Sequence, residues 1–316
     1  MKKLFLAVLA AVGMLAATAS STLAEWAPSG PIKMTIAFRA GGGADTQARL
    51  IAEELEARKG WKIIPEQVTG KGGINAALAL KDEPNDGTAI SMIVTETLGY
   101  NMIAAAGSGI TASDFTPIIT TAGFQMGIVA KTDKGWKTFD EMIAAAKGEK
   151  LRFGVMSPRL ADLAYMVGKA NDVEFNIVSV KGGKAVMNGL NAGDLDIGWG
   201  AGIQTKAVKA GEMVNLLSGL SYKLDASPEA PLMKDVGVEF VADGYFLIAG
   251  PAGMPAEARD AIANAISEIV NDSSTKANGI INKAFGGPKV IMGEELDTLI
   301  ANGNAQDAAL LKAASE

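Results

Sequence analysis

Residues 32–55 join an apolar run, three consecutive glycines and an amphipathic stretch. Residues 32–38 are apolar and rich in β-favouring side chains, which predicts a buried strand. Gly41, Gly42 and Gly43 follow, and glycine backbone can turn tightly and come close to a ligand. After Asp45, a helix-start residue, apolar side chains recur at helical spacing. The segment therefore predicts a strand, a tight turn and a helix, the repeating unit of α/β folds.

This predicted turn places the start of a helix directly after a strand. The first N–H groups of a helix have no acceptor within it, and the helix dipole makes that end positive. A strand–glycine turn–helix unit is therefore suited to binding an anion. The alternative is that the glycines only connect a strand and a helix within an α/β sheet.

The N-terminus has the pattern of a secretory signal peptide. Lys2 and Lys3 are basic, residues 4–17 are apolar but too short for a membrane span, and small residues precede position 25. We predict cleavage after Ala24, which would export the mature chain. The alternative is an uncleaved N-terminal anchor.

Composition removes several classes of function. The 316 residues contain no cysteine and no histidine, so disulfides, thiol catalysis, Ser-His-Asp catalysis and histidine-ligated zinc each lack a required residue. The net charge is −6 and no basic run suggests nucleic-acid binding. We therefore expect a protein that is not an enzyme and that has no cofactor and no metal site.

The rest of the chain repeats the pattern of strand, glycine-rich or capped turn, and helix, which predicts mostly parallel sheets with covered faces. Ser157 and Pro158 form a strong helix start after one such strand, which places a second anion-binding turn near Arg159. We expect two domains that face each other across a cleft. The strands are predicted over residues 32–38, 61–64, 88–94, 124–130, 151–155, 176–180, 195–199, 214–217 and 245–249.

Four segments, in the same order, resemble the solute-binding proteins of tripartite tricarboxylate transporters. Residues 31–49 resemble the opening motif of that family, and residues 70–88, with Gly70-Lys71-Gly72-Gly73, resemble its second block. Residues 180–196 resemble the third block and residues 249–257 the fourth. The resemblance covers nearly the whole mature chain.

The resemblance implies a two-domain type II periplasmic binding protein, the "Venus flytrap" fold, with mostly parallel α/β sheets joined by two crossover segments. It implies a signal peptide over residues 1–24, a first domain over residues 25–124 and 246–316, and a second over residues 125–245. Such a protein is a periplasmic monomer that captures a small organic carboxylate, here expected to be a di- or tricarboxylate, and delivers it to membrane permease subunits.

The ligand-binding residues that the resemblance implies lie at the glycine turns and at the ends of strands. They are Phe38, Ala40, Gly41, Gly42, Gly43, Asp45, Thr95, Ser157, Lys181, Gly182 and Trp199. Neighbouring residues that we add to this set are Arg39, Arg159, Gly200 and Tyr245.

Several of these residues have an alternative interpretation. Arg39 and Arg159 either bind a second carboxylate or form salt bridges at the rim. Asp45 is better explained as a helix-start residue, because a carboxylate repels an anion. Trp199 and Tyr245 either line the cleft or pack in the core, and Lys181 is either a charge on the lid or a simple exposed lysine.

Two other functions fit parts of the pattern. A periplasmic sensor that presents a carboxylate to a receptor kinase would use the same fold. A nucleotide-dependent Rossmann enzyme also begins with strand, glycine turn and helix, but Thr46 stands where the last glycine of its G-x-G-x-x-G motif belongs.

Overall fold

The computed structural model describes residues 26–105 and 107–316, apart from the side chains of Asn304 and Ala305. The predicted signal peptide lies outside these residues. Within them, no helix combines the length and the apolar character that crossing a membrane requires.

Two five-stranded sheets organise the described chain, in the orders β2-β1-β3-β10-β4 and β7-β6-β8-β5-β9. We call the parts built on the first and second sheet lobe 1 and lobe 2. The strands are β1 (Ile32–Ile36), β2 (Ile63–Gln67), β3 (Ala89–Val94), β4 (Phe115–Gly123), β5 (Met126–Lys131), β6 (Arg152–Val155), β7 (Asn176–Ser179), β8 (Ile197–Ala201), β9 (Met213–Ser218) and β10 (Tyr245–Pro251).

Helices cover the faces of both sheets. They are α1 (Gly43–Lys59), α2 (Ile74–Lys81), α3 (Thr95–Leu98), α4 (Tyr100–Ala104), α5 (Phe139–Gly148), α6 (Pro158–Ala170), α7 (Gly183–Ala192), α8 (Thr205–Lys209), α9 (Ala256–Asn271), α10 (Lys276–Phe285) and α11 (Gly293–Ser315). The buried apolar residues of α1 and α9, such as Ile51, Leu55, Ile262 and Ile266, join the strands of lobe 1 in one core.

The two-domain α/β fold is confirmed, but each sheet mixes parallel and antiparallel pairs where mostly parallel sheets are expected. In lobe 1, β1 pairs parallel with β2 and β3, whereas β10 pairs antiparallel with β3 and β4. Lobe 2 repeats the arrangement, with β5 antiparallel to β8 and β9. Neither order matches the parallel 3-2-1-4-5-6 sheet of a Rossmann enzyme.

The antiparallel strands are those that bring the chain from one lobe to the other. The chain leaves lobe 1 after Gly123 and enters lobe 2 at Met126, and it returns at Tyr245. Tyr245 pairs with Gly123, so the two passages lie side by side. The domain limits at residues 124 and 245 stay a prediction, because strand pairing does not define how far each domain extends.

Strand β4 and helix α10 are absent from the sequence-based predictions. Pro117 argues against a strand in the sequence, yet the threonines of β4 favour one, and Thr120 and Thr121 are fully buried. Their hydroxyls donate to Lys289 O at 2.6 Å and to Gln47 Oε1 at 2.7 Å. These partners are distant in sequence, so only the folded chain explains the strand.

Candidate functional site

A cavity of about 50 Å³, which we call the central cavity, lies between the lobes. Lobe 1 contributes Phe38, Arg39, Gly42 and Gly43 to its wall. Residues that line it from lobe 2 include Met126, Met156, Ser157, Leu160, Gly182, Gly183 and Ile203. The glycine turn before α1 and the Ser157 turn therefore share one cleft.

The N-terminal end of α1 forms one side of this cavity. Gly42 is its N-cap, and Thr46 N–H is the first to bond back, to Gly42 O at 2.9 Å. The N–H groups of Gly43, Ala44 and Asp45 therefore have no acceptor within the helix. Gly43 and Ala44 line the cavity. The structure thus presents backbone donors and a positive helix end to the space between the lobes.

Asp45 holds the glycine turn in shape. Its Oδ2 accepts from Gly41 N–H at 2.9 Å, and its Oδ1 accepts from Arg49 Nε at 2.8 Å and from Gln67 Nε2 at 3.0 Å. These three bonds engage both oxygens of the buried carboxylate, which agrees with the interpretation of Asp45 as a helix-start residue.

The N-terminal end of α7 faces α1 across the cleft. Ala185 and Val186 both donate to Gly182 O, so the N–H groups of Gly183 and Lys184 have no acceptor within the helix. Gly182 has φ +95°, and a Cβ added to it would lie 3.3 Å from Phe38 Cβ. This close approach needs glycine, and it sets two positive helix ends against the same cavity.

The third helix end, at α6, is arranged differently. Ser157 Oγ accepts from Leu160 N–H at 3.3 Å, and Asn101 Oδ1 accepts from Arg159 N–H at 3.4 Å. Pro158 has no N–H to offer. Because these donors are satisfied within the protein, the second set of free donors belongs to α7, and Ser157 contributes to the wall of the cavity.

The remaining wall is apolar. Phe124, Phe246 and Phe285 stack edge to face, with ring centroids 5.2 and 4.9 Å apart. Phe285 fits between the lobes, because a Cβ at Gly43 would meet its ring at 2.6 Å and one at Gly202 at 2.4 Å.

Arg39 lies beside the glycine turn, where it lines the central cavity and remains exposed. Among the residues that the structure describes, none forms an ion pair with its guanidinium. Arg39 can therefore reach an anion at the mouth of the cleft.

Arg159 is buried and bonds to other residues of the protein. Its guanidinium donates to Glu96 Oε1 at 3.0 Å and to Asp243 O at 2.9 Å, and its Nε lies 3.4 Å from Asp307 Oδ1. Burial raises the pKa of Glu96 and of Asp307, and the Arg159 guanidinium opposes both shifts. Arg159 thus joins α6 of lobe 2 to residues that pack with lobe 1, and its predicted contact with ligand stays a prediction without geometric support.

A wider cavity of about 650 Å³, the outer cavity, adjoins the central one. Phe38, Met156, Ser157 and Gly182 line both. Lysines and amides, but no carboxylate of the described residues, complete its wall, namely Lys71, Lys181, Asn75 and Asn101.

Thr95 and Tyr245 line a third cavity of about 270 Å³ next to the crossover strands, together with Arg159. Thr95 Oγ1 accepts from Tyr245 N–H at 3.1 Å, which ties the start of β10 to the end of β3.

The other candidate residues lie outside the walls of these three cavities. Ala40 and Gly41 are exposed on the turn, and Asp45 is buried behind it. Trp199 is fully buried, with its indole N–H donating to Leu160 O at 2.8 Å. A Cβ at Gly200 would meet the Gln204 side chain at 2.5 Å. Trp199 therefore packs in the core of lobe 2.

Sequence reasoning missed most of the apolar wall. Phe285 and Ile203 follow no recognisable motif, and Phe285 reaches Gly43 from 242 positions along the chain. Lys71 lies in the Gly70–Gly73 segment, which resembles the second block of the family. That resemblance was the signal in the sequence that could have pointed to the outer cavity. Within the described residues, no cluster of acidic side chains is arranged to hold a metal ion.

Comparisons with known proteins identify the family of this chain. A family model described as "Tripartite tricarboxylate transporter family receptor" matches residues 42–311. A protein from Cupriavidus necator, "UPF0065 protein in gbd 5'region", is 27% identical over 264 residues, which are 78% of this chain and 76% of that protein. "Protein BugT" from Bordetella pertussis is 23% identical and covers 78% of this chain and 79% of its own.

Solved structures show the same fold. "MatC" from Rhodopseudomonas palustris, described with bound malate, has a TM-score of 0.78 at 17% identity and covers 90% of this chain and 99% of its own. The "periplasmic binding protein BugD" has a TM-score of 0.79 at 21% identity, with 92% and 99% covered. A second R. palustris protein, described with adipate, has a TM-score of 0.80 at 19% identity, with 91% and 98% covered.

Proposed function

Because the chain belongs to the tripartite tricarboxylate transporter receptor family, we propose that it binds a small organic carboxylate between its lobes and delivers it to the permease subunits of such a transporter. The observation that carries this proposal is the pair of helix N-termini, at Gly42 and Gly182, on opposite walls of one cavity. A ligand carboxylate between them would accept from both lobes and stabilise the closed cleft.

The ligand site proposed here is the central cavity with its mouth. The N–H groups of α1 and α7 bind the carboxylate, and Arg39 binds a second carboxylate where the ligand has one. The malate and adipate described with two proteins of the same fold support this class of ligand. The receptor acts in the periplasm as a monomer, after removal of its signal peptide, without a cofactor and without catalysing a reaction.

Calorimetry of the ligand-stripped protein with a panel of mono-, di- and tricarboxylates tests the proposal. We expect at least one carboxylate to bind and to raise the melting temperature in proportion to the logarithm of its concentration, because it binds only the folded state. Neutral amides of the same acids serve as controls and should not bind. If no carboxylate binds, the proposal is wrong.

Arg39→Ala should weaken a dicarboxylate more than the monocarboxylate of the same chain length. A charged hydrogen bond contributes about 1.5–3 kcal/mol, so we expect a loss of about 10- to 150-fold for the dicarboxylate. Calorimetric dissociation constants measure the effect. Arg58→Ala, on the outer surface of α1, is the control and should change neither affinity. Equal losses for both ligands would remove Arg39 from contact with a second carboxylate.

A further inference from the structure

The interior of the central cavity offers a ligand mainly carbon surface. Beyond the helix ends, its apolar wall includes Phe124, Met126, Leu160, Phe246 and Phe285. Phe246 contacts both other phenylalanine rings edge to face, so the wall is a continuous apolar surface. Water that leaves such a wall is replaced favourably by carbon groups of a ligand.

Few polar side chains reach this wall, and each has a partner within the protein. Ser157 Oγ accepts from Leu160 N–H, and Glu96, which is nine-tenths or more buried, is bonded to Arg159. Arg39 lies at the exposed mouth. A hydroxyl or amine on the body of the ligand would therefore lose its water against a wall of carbon, where only Ser157 and Glu96, both already bonded within the protein, carry polar side-chain atoms.

We infer that this receptor selects small carboxylates whose carbon body carries no hydroxyl or amine, and that this body lies against the phenylalanine wall while the carboxylate lies at the ends of α1 and α7. The inference rests on the proposed function and adds the ligand class to it. The central cavity, at about 50 Å³, is far smaller than the roughly 300–1,000 Å³ of pockets for drug-sized ligands, so the body is short.

The outer cavity is the competing location. It is lined by Lys71, Lys181 and Asn75, whose polar groups would bind a hydroxylated polyacid better than they would bind a carbon chain. Met156 lines both spaces, whereas Lys71 lines only the outer one. A variant at Met156 therefore reports on a ligand in either cavity, and a variant at Lys71 shows which of the two cavities the ligand occupies.

Calorimetry with matched pairs of acids tests the inference. Succinate should bind about five- to 150-fold more tightly than malate, which differs by one hydroxyl that would lie against the carbon wall. In the series from butanoate to hexanoate, affinity should rise about fourfold for each methylene that enters the cavity, and the rise should stop when the cavity is full. Both results together would support an apolar body.

Met156→Gln keeps the size of a half-buried side chain and makes the wall polar. We expect it to weaken hexanoate at least about fivefold and to leave malate unchanged. Met166→Gln, on α6 but away from the cavities, is the matched control, and Lys71→Ala should leave hexanoate binding unchanged. Circular dichroism and melting temperature establish that each variant is folded.

The outcomes separate the inference from the proposed function. If malate or citrate binds more tightly than succinate and hexanoate, or if Lys71→Ala abolishes binding while Met156→Gln does not, the inference is overturned and the receptor remains a carboxylate receptor. If no acid of the panel binds, both are overturned.

Discussion

Arg159→Met should lower the free energy of unfolding by about 3–5 kcal/mol, the cost of breaking a buried ion pair by removing one partner. The side chains of Arg159, Glu96 and Asp307 are 10%, 5% and 8% exposed, so water cannot replace the lost guanidinium well. Two buried carboxylates would remain without their cation. Urea denaturation of both proteins at pH 7 measures the difference.

A matched surface pair provides the control. Arg58 bonds Glu54 and Asp272 on the outside of α1, and Arg58→Met should cost less than about 1 kcal/mol, since exposed pairs contribute little. Adding Glu96→Gln to Arg159→Met should recover part of the loss, because it removes one of the unpaired charges. An Arg159→Met variant as stable as the Arg58→Met variant would show that the buried network does not hold the lobes together.

The loss at Arg159 should also depend on pH. Burial raises the pKa of Glu96 and Asp307 above the ordinary values of 4.5 and 3.8, so the folded protein binds these protons more tightly than the unfolded chain. Such groups cost no stability below their unfolded pKa, and they reduce stability as pH rises toward their folded pKa. Arg159 limits both shifts. The deficit of Arg159→Met should therefore be small near pH 4 and larger near pH 7, and an equal deficit at both would contradict this account.

Local signals in the sequence were sufficient for most helices and for the strands that precede them. Ser157 and Pro158 predict the start of α6, and the structure places both at that start. The triple glycine predicts the turn before α1, which begins at Gly43. These features depend on residues within one or two helical turns, and a sequence shows such neighbours directly.

The direction of strand pairing was not available from local patterns. Strand β10 lies between β3 and β4, and Phe246 pairs with Val94 in the antiparallel sense. A buried antiparallel strand and a buried parallel strand have the same apolar character. The mixed sheets follow from the path of the chain between the lobes, which only the complete fold determines.

The candidate site shows why a helix-start signal is an incomplete guide to an anion site. A good capping serine satisfies a helix N–H itself, as Ser157 does for Leu160. A glycine N-cap has no side chain to do so, and the ends at Gly42 and Gly182 keep their donors free. The less conspicuous start at Gly182 therefore faces α1 with open donors, although Ser157 has the stronger sequence signal.

Gly42→Asp should lower the affinity for a carboxylate by at least about 100-fold while leaving the protein folded. Gly42 is the N-cap of α1, with φ −81° and ψ 174°, a conformation that aspartate adopts readily. Its carboxylate would accept from the N–H groups of Ala44 or Asp45 and would place a negative charge where the ligand carboxylate is proposed to bind. Aspartate is also favourable at a positive helix end, which offsets part of the crowding between its Cβ and Arg39 O.

Gly42→Asn separates charge from size in the same experiment. Asparagine caps the helix equally well and meets the same backbone, since an added Cβ would lie 3.0 Å from Arg39 O in both variants. It competes for the donors without repelling an anion, so we expect a loss of only about tenfold. Calorimetry and thermal melts of the three proteins give affinity and stability together. If Gly42→Asp binds carboxylates as tightly as the parent, the ligand does not lie at the N-terminal end of α1.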